Sequence, residues 1–210
     1  MPDHSTVNPI DQLEKDALQG PPPSGKKPFN IKKELSGWFF SILFAVILYL
    51  IISSFLFVLV RVDGSSMANT LHHKEMVFVT KLDYLFSDPD RQDVVICHYP
   101  NRKEFFVKRV IGLPGDVIEI QEDLLSGQNM VLINGEVLQE PYLTSSLNRM
   151  PSKTMAPVTL GEEEYFVMGD NRDHSNDSRN LSLVGPISRK SIVGHVRFVF
   201  FPFNAWKGIS

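Results

Sequence analysis

Two adjacent hydroxyls, Ser65 and Ser66, follow Gly64 in the stretch Val62-Asp63-Gly64-Ser65-Ser66-Met67-Ala68-Asn69-Thr70-Leu71. Glycine permits a tight turn or a close backbone approach to a ligand. A serine beside it can offer its Oγ and its own backbone N–H to a peptide carbonyl. Taken alone, the stretch reads first as a polar turn after an apolar run. A candidate base lies further along, in Phe106-Val107-Lys108-Arg109-Val110. Strand alternation places Phe106, Lys108 and Val110 on one face and Arg109 on the other. The default for such a lysine is to lay its stem on the surface and keep its ammonium in water. The alternative is a buried amine, whose charged form is disfavoured and whose pKa falls. A neutral amine can take the proton of a serine hydroxyl, the Ser-Lys variant of nucleophile and base.

The third dense group is Gly169-Asp170-Asn171-Arg172-Asp173-His174-Ser175-Asn176-Asp177-Ser178-Arg179. It reads as a solvated loop, a metal loop or a buried polar network. A calcium loop counted from Asp173 needs Gly and Glu where Ser178 and Val184 stand, so that reading fails. In the network reading Asp177 pairs with Arg179 and Ser175 offers a hydroxyl to the base.

The elements that must position these groups are mostly strands. Residues 76–80, 93–97, 105–111, 117–120, 165–168 and 192–199 are short β-branched or aromatic runs between turn residues. Residues 130–133 and 136–138 flank Asn134-Gly135 and predict a hairpin with a tight turn. The pattern predicts a mainly β fold, an antiparallel catalytic core of partly barrel-like form, with residues of about 121–160 as a smaller inserted β domain. Residues 37–60 contain no charge and are long enough to cross a bilayer. The span has no small-residue cleavage site behind it and reads as a permanent anchor. Lys26, Lys27, Lys32 and Lys33 precede it, whereas only Arg61 and Lys74 follow closely. The positive-inside rule then puts the N-terminus in the cytoplasm and residues 61–210 outside. Residues 1–36, broken by Gly20-Pro21-Pro22-Pro23-Ser24-Gly25, read as a flexible tail. The Ser24/Lys27 spacing there lacks the partner motifs of penicillin-binding enzymes.

Composition removes other classes. The net charge is −3 with scattered basic residues, which speaks against a nucleic-acid partner. The single cysteine, Cys97, allows no intrachain disulfide and no CxxC site, and its strand context predicts a buried thiol. His72 and His73 make a poor metal pair and read as a solvated loop.

Gly64-Ser65-Ser66-Met67 with Thr70-Leu71, Lys108-Arg109 with Gly112-Leu113-Pro114-Gly115-Asp116, and Gly169 to Asp173 with Ser175, Asp177 and Arg179 resemble the ordered motif boxes of bacterial type I signal peptidases. Asp93-Val94-Val95, Gly185-Pro186-Ile187 and Ile192-Val193-Gly194 resemble two further stretches of that family. The resemblance implies Ser66 as nucleophile, Lys108 as general base, Ser175 orienting Lys108, and Asp177 with Arg179 holding that loop. It implies no cofactor and no metal. The implied substrates are signal peptides of exported preproteins, bound as an added strand with small residues in shallow pockets, at the plasma membrane. The register set by Met67 and Thr70-Leu71 favours Ser66 over Ser65. Asn69 replaces the family's usual proline, and His174 a common asparagine. Gly64 stands where some members carry an oxyanion-stabilising serine, leaving more of that work to the Ser66 N–H. The aromatic end, Phe198 to Trp206, predicts core packing or a bilayer contact. Two other functions fit the pattern less well. A self-cleaving repressor would lack the anchor, and an inactive membrane-anchored binding module would have lost Ser66 or Lys108.

Overall fold

The computed structural model describes residues 13–14, 31–68, 70–123, 128–143 and 154–209. The chain divides into two compact units, Met1–Val46 and Ile47–Ser210. Within the described residues of the first, the backbone is helical. Helix α1 runs Ile31–Leu56, and its Glu34–Ser53 stretch is long and apolar enough to cross a membrane. At 1.5 Å per residue such a helix is about 39 Å long. Ser41 Oγ donates to Gly37 O and Ser53 Oγ to Leu50 O, so both hydroxyls are satisfied within the helix.

Helix α1 begins inside the segment read as tail, because nothing between Ile31 and Gly37 breaks a helix. It also ends before the apolar run does. Phe57–Arg61 forms strand β1, paired antiparallel with β2 (Met76–Thr80) from Phe57↔Thr80 to Arg61↔Met76. Branched Val58 and Val60 favour a pleated surface, and the Phe57 ring stacks on Phe78. Residues 57–60, counted with the span in sequence, therefore belong to the sheet. Most of the tail, Ser24, Lys27 and Asn69 lie outside the described residues.

Seven strands make the larger sheet: β1, β2, β3 (Val94–Cys97), β4 (Phe106–Gly112), β9 (Glu164–Met168), β10 (Ile187–Ser188) and β11 (Ile192–Phe201), in the order β1-β2-β11-β3-β4-β9-β10. All its pairings are antiparallel. The smaller sheet holds β5 (Val117–Asp123), β6 (Gln128–Ile133), β7 (Glu136–Val137) and β8 (Met155–Thr159), in the order β7-β6-β5-β8. It turns from β6 to β7 through Asn134 and Gly135, both at positive φ. A one-turn helix α2 (Asp83–Phe86) follows β2. The fold is mainly β, as the sequence predicts.

Three apolar clusters hold these layers. Val77, Val79, Val94, Ile96, Val196 and Val199 pack with Met67 and Leu71. Val95, Cys97, Val110, Tyr165, Val167 and Ile187 form the second. Ile111, Ile118, Ile120, Val131, Phe166 and Met168 form the third, joining residues of both sheets. The first cluster matters most for the site, because Met67 and Leu71 root the Gly64–Leu71 turn in the core.

Candidate active site

Ser66 sits where the chain leaves β1. Val62 N–H donates to Glu75 O at 2.8 Å and Lys74 N–H to Val62 O at 2.9 Å, closing residues 62–75 into a loop. Within it, Ala68 N–H donates to Ser65 O and Leu71 N–H to Met67 O, making a short helical turn around Ser66. Gly64 has φ +100°, a conformation that disfavours a side chain there.

Lys108 extends from the middle of β4, on the face it shares with Phe106 and Val110. It is 2 % exposed. Its Nζ lies 2.7 Å from Ser66 Oγ and 2.9 Å from Val107 O. Burial pushes the amine below its usual range, while the nearby Asp177 and Asp170 carboxylates oppose that shift. Cys97 is a buried free thiol, pushed up to about 12 by burial, so it stays protonated and inert at neutral pH.

Residues 169–179 form the wall behind this pair. Asn171 N–H donates to Ser66 O at 3.0 Å and Asn171 Nδ2 to Ser65 O at 3.0 Å. Gly169 must be glycine for space: a Cβ there would lie 2.4 Å from Ser66 O and 2.3 Å from Ser175 Oγ. Asp177 accepts from Gly169 N–H at 3.0 Å and from Arg179 Nε at 2.7 Å. Burial alone would raise the Asp177 carboxyl, but Arg179 and the Gly169 N–H outweigh it and hold it below the carboxylate range. Arg179 also donates to Arg172 O at 2.8 Å.

The structure thus brings Ser66, Lys108, Asp177 and Arg179 into one neighbourhood. Ser175 is close too: its Oγ is buried beside Gly169 and, among the described residues, makes no hydrogen bond to Lys108. Sequence reasoning passed over Asp170 and Arg109. Arg109, 1 % exposed, donates through Nε and Nη2 to the Asp170 carboxylate at 3.0 and 2.9 Å and stacks on the Tyr142 ring. Thr70 Oγ1 also donates to Asp170, tying the serine loop to this pair. Strand alternation did place Arg109 opposite Lys108, so an inward arginine needing a carboxylate was a readable signal. Arg172 is likewise buried and paired with Glu140.

A cavity of about 350 Å³ opens over Ser66 and Lys108. One side is Val60 to Asp63, continuing β1, and the other is Glu104 to Lys108. Strand β1 ends the sheet, and β4 pairs with β9 only from Arg109 onward. Among the described residues, both walls therefore present a strand edge to the cavity. The larger sheet curls enough to bring its first and fifth strands to either side of one cleft.

The arrangement suits acyl transfer: a nucleophile touching a buried amine, beside a cleft bordered by strand edges. Residues 35–201 match the family model described as "Signal peptidase, peptidase S26". The chain belongs to this family. It is 41 % identical over 187 residues to a signal peptidase I of Bacillus licheniformis, covering 85 % of this chain and 95 % of that protein. It is 40 % identical over 180 residues to signal peptidase I S of Bacillus subtilis strain 168, covering 82 % and 92 %. A solved signal peptidase I from Enterococcus faecalis V583 is 30 % identical, covering 52 % of this chain and 97 % of that one, with a TM-score of 0.43. Membership in this family makes the protein a peptidase.

Proposed function

We propose that this protein is a membrane-anchored serine endopeptidase that removes signal peptides from exported preproteins. The observation that carries the mechanism is the 2.7 Å contact between Ser66 Oγ and the buried Lys108 Nζ. With Lys108 neutral, the Ser66 hydroxyl donates to the Nζ lone pair. As Oγ attacks the scissile carbonyl carbon, its proton passes to Nζ. The Ser66 N–H stabilises the developing oxyanion, and Gly64 adds no hydroxyl to it. The C–N bond then breaks, Lys108 returns the proton to the leaving amine, and an acyl-Ser66 ester remains. Lys108 next takes a proton from water as its oxygen attacks the ester carbonyl, and hands that proton to Ser66 Oγ as the ester C–O bond breaks, which frees Ser66 and restores the neutral amine.

The preprotein would lie as an added strand between the edges of β1 and β4, where main-chain bonds give affinity and alternate side chains enter pockets. Asp177 and Arg179 hold the wall behind the pair, and Ser175 orients Lys108 when substrate closes the site. Helix α1 is the anchor, with the N-terminus cytoplasmic and residues 61–210 outside.

Cleavage of a model preprotein in detergent micelles tests this. Ser66→Ala and Lys108→Ala should each remove turnover, the latter by at least about 10²–10⁴-fold. The wild-type rate should rise with pH as the depressed lysine loses its proton, because only the neutral amine is a base. Turnover by both variants at the wild-type rate would refute the dyad.

A further inference from the structure

The loop carrying Ser66 is clipped on its outer side by a residue that the mechanism does not use. Its inner side is held by Asn171, and its base by the bonds between Val62 and residues 74–75. The arm entering the turn, Asp63-Gly64, has its contact to the returning arm through His73. Gly64 N–H donates to His73 Nδ1 at 3.2 Å, and the same Nδ1 lies 3.3 Å from Asp63 Oδ1. These two contacts exclude each other. To accept from Gly64, Nδ1 must present its lone pair, so the ring is neutral with its proton on Nε2. To bind the Asp63 carboxylate, Nδ1 must carry a proton.

We propose that His73 is a positioning residue for the nucleophile: its Nδ1 lone pair holds the Gly64 N–H and so the turn that presents Ser66. The proposal rests on the reading of Ser66 as nucleophile. Gly64 is two residues before Ser66 and stands at φ +100°, where a glycine backbone has wide freedom. A single bond there therefore fixes a dihedral that would otherwise drift. The Asn171 bonds fix the carbonyls of Ser65 and Ser66 from behind and leave that entry dihedral to His73. The charged groups facing His73 are Asp63 and, across a small shared hollow, Arg61. Lys74 follows it in the chain, and His72 beside it is engaged with Glu75. His73 is about half exposed, so its replacement does not open the core.

The test is steady-state cleavage of a model preprotein by the full-length protein in micelles. His73→Leu removes the acceptor and should lower kcat about three- to tenfold with KM unchanged, the size of one net hydrogen bond. His73→Asn returns an oxygen acceptor near the Nδ1 position and should recover most of that loss. An unchanged kcat in His73→Leu overturns the proposal. So does a His73→Asn rate as low as that of His73→Leu, since ring packing rather than the acceptor would then matter. Ser66→Ala, run alongside, reports separately on the nucleophile: turnover in that variant would reject the dyad, whatever the His73 variants show.

Discussion

The two segments that meet at Ser66 are built on opposite principles. Residues 62–75 form a partly exposed loop held by a few backbone bonds and by buried apolar side chains that include Met67 and Leu71. Residues 169–179 are dense with charge and yet largely buried: Asp170, Arg172 and Asp177 are each 2 % exposed or less. Under the proposed function, the first must let a peptide reach the Ser66 hydroxyl and so cannot be enclosed. The second never needs to meet substrate and can be locked by ion pairs out of water. A reactive group on a loose loop gains precision when a rigid wall grips its carbonyls, which is what Asn171 does to Ser65 and Ser66. The cost of that wall is that its charges must stay paired, because a lone buried charge is far more costly than a lost surface contact.

Breaking the wall should therefore hurt stability more than any change in the loop. Asp170→Ala leaves the Arg109 guanidinium buried without its carboxylate and should cost about 3–5 kcal/mol, read as a large drop in denaturation midpoint. Should the midpoint stay put, the wall is not what holds this region together. Gly169→Ala addresses the seam between the two segments. Its Cβ would press on Ser66 O, so kcat should fall about a hundredfold, as for an ångström-scale displacement of a reacting group. A wild-type rate in that variant would mean that Ser66 is not set by the wall.

Asp177→Asn is the mildest of the three. Its folded carboxyl lies below the usual 3.8, so below that value the unfolded chain binds the extra proton first. Stability from this group is complete above the unfolded value and drains away as pH falls through the folded one. At neutral pH the variant should lose about 1–3 kcal/mol. Its acid-unfolding curve should be flatter than that of wild type, as a pH series of melts would display. Curves of equal steepness would remove Asp177 from the acid response.

The sequence made much of this legible because its signals are local. Alternation in Phe106–Val110 put Lys108 among apolar neighbours and Arg109 on the other face, and both turn out buried. The Asn134-Gly135 pair announced its hairpin, whereas the Gly169–Arg179 composition left a solvated loop and a buried network both open, and the Asp177–Arg179 pair belongs to the network. The junction of α1 with β1 was not legible, since Phe57–Val60 continues the apolar run without a breaker. Only the pairing with β2 distinguishes strand from helix there. The histidines at 72 and 73 looked like a solvated loop. Their contacts with Glu75 and with Gly64 depend on how the loop of residues 62–75 closes, which no local pattern encodes.

By itself, then, the sequence determined most of the strands, the apolar helix, the burial of Cys97 and the residue kinds available for acyl transfer, since these follow from periodicity and composition. Tertiary structure alone decided that Ser66 Oγ meets Lys108 Nζ, that Asp170 neutralises Arg109, and that the edges of β1 and β4 border one cavity. Those are distances between segments far apart in the chain. They are fixed by the curl of the larger sheet and by the packing of Met67 and Leu71 into its core, which propensity and spacing do not specify.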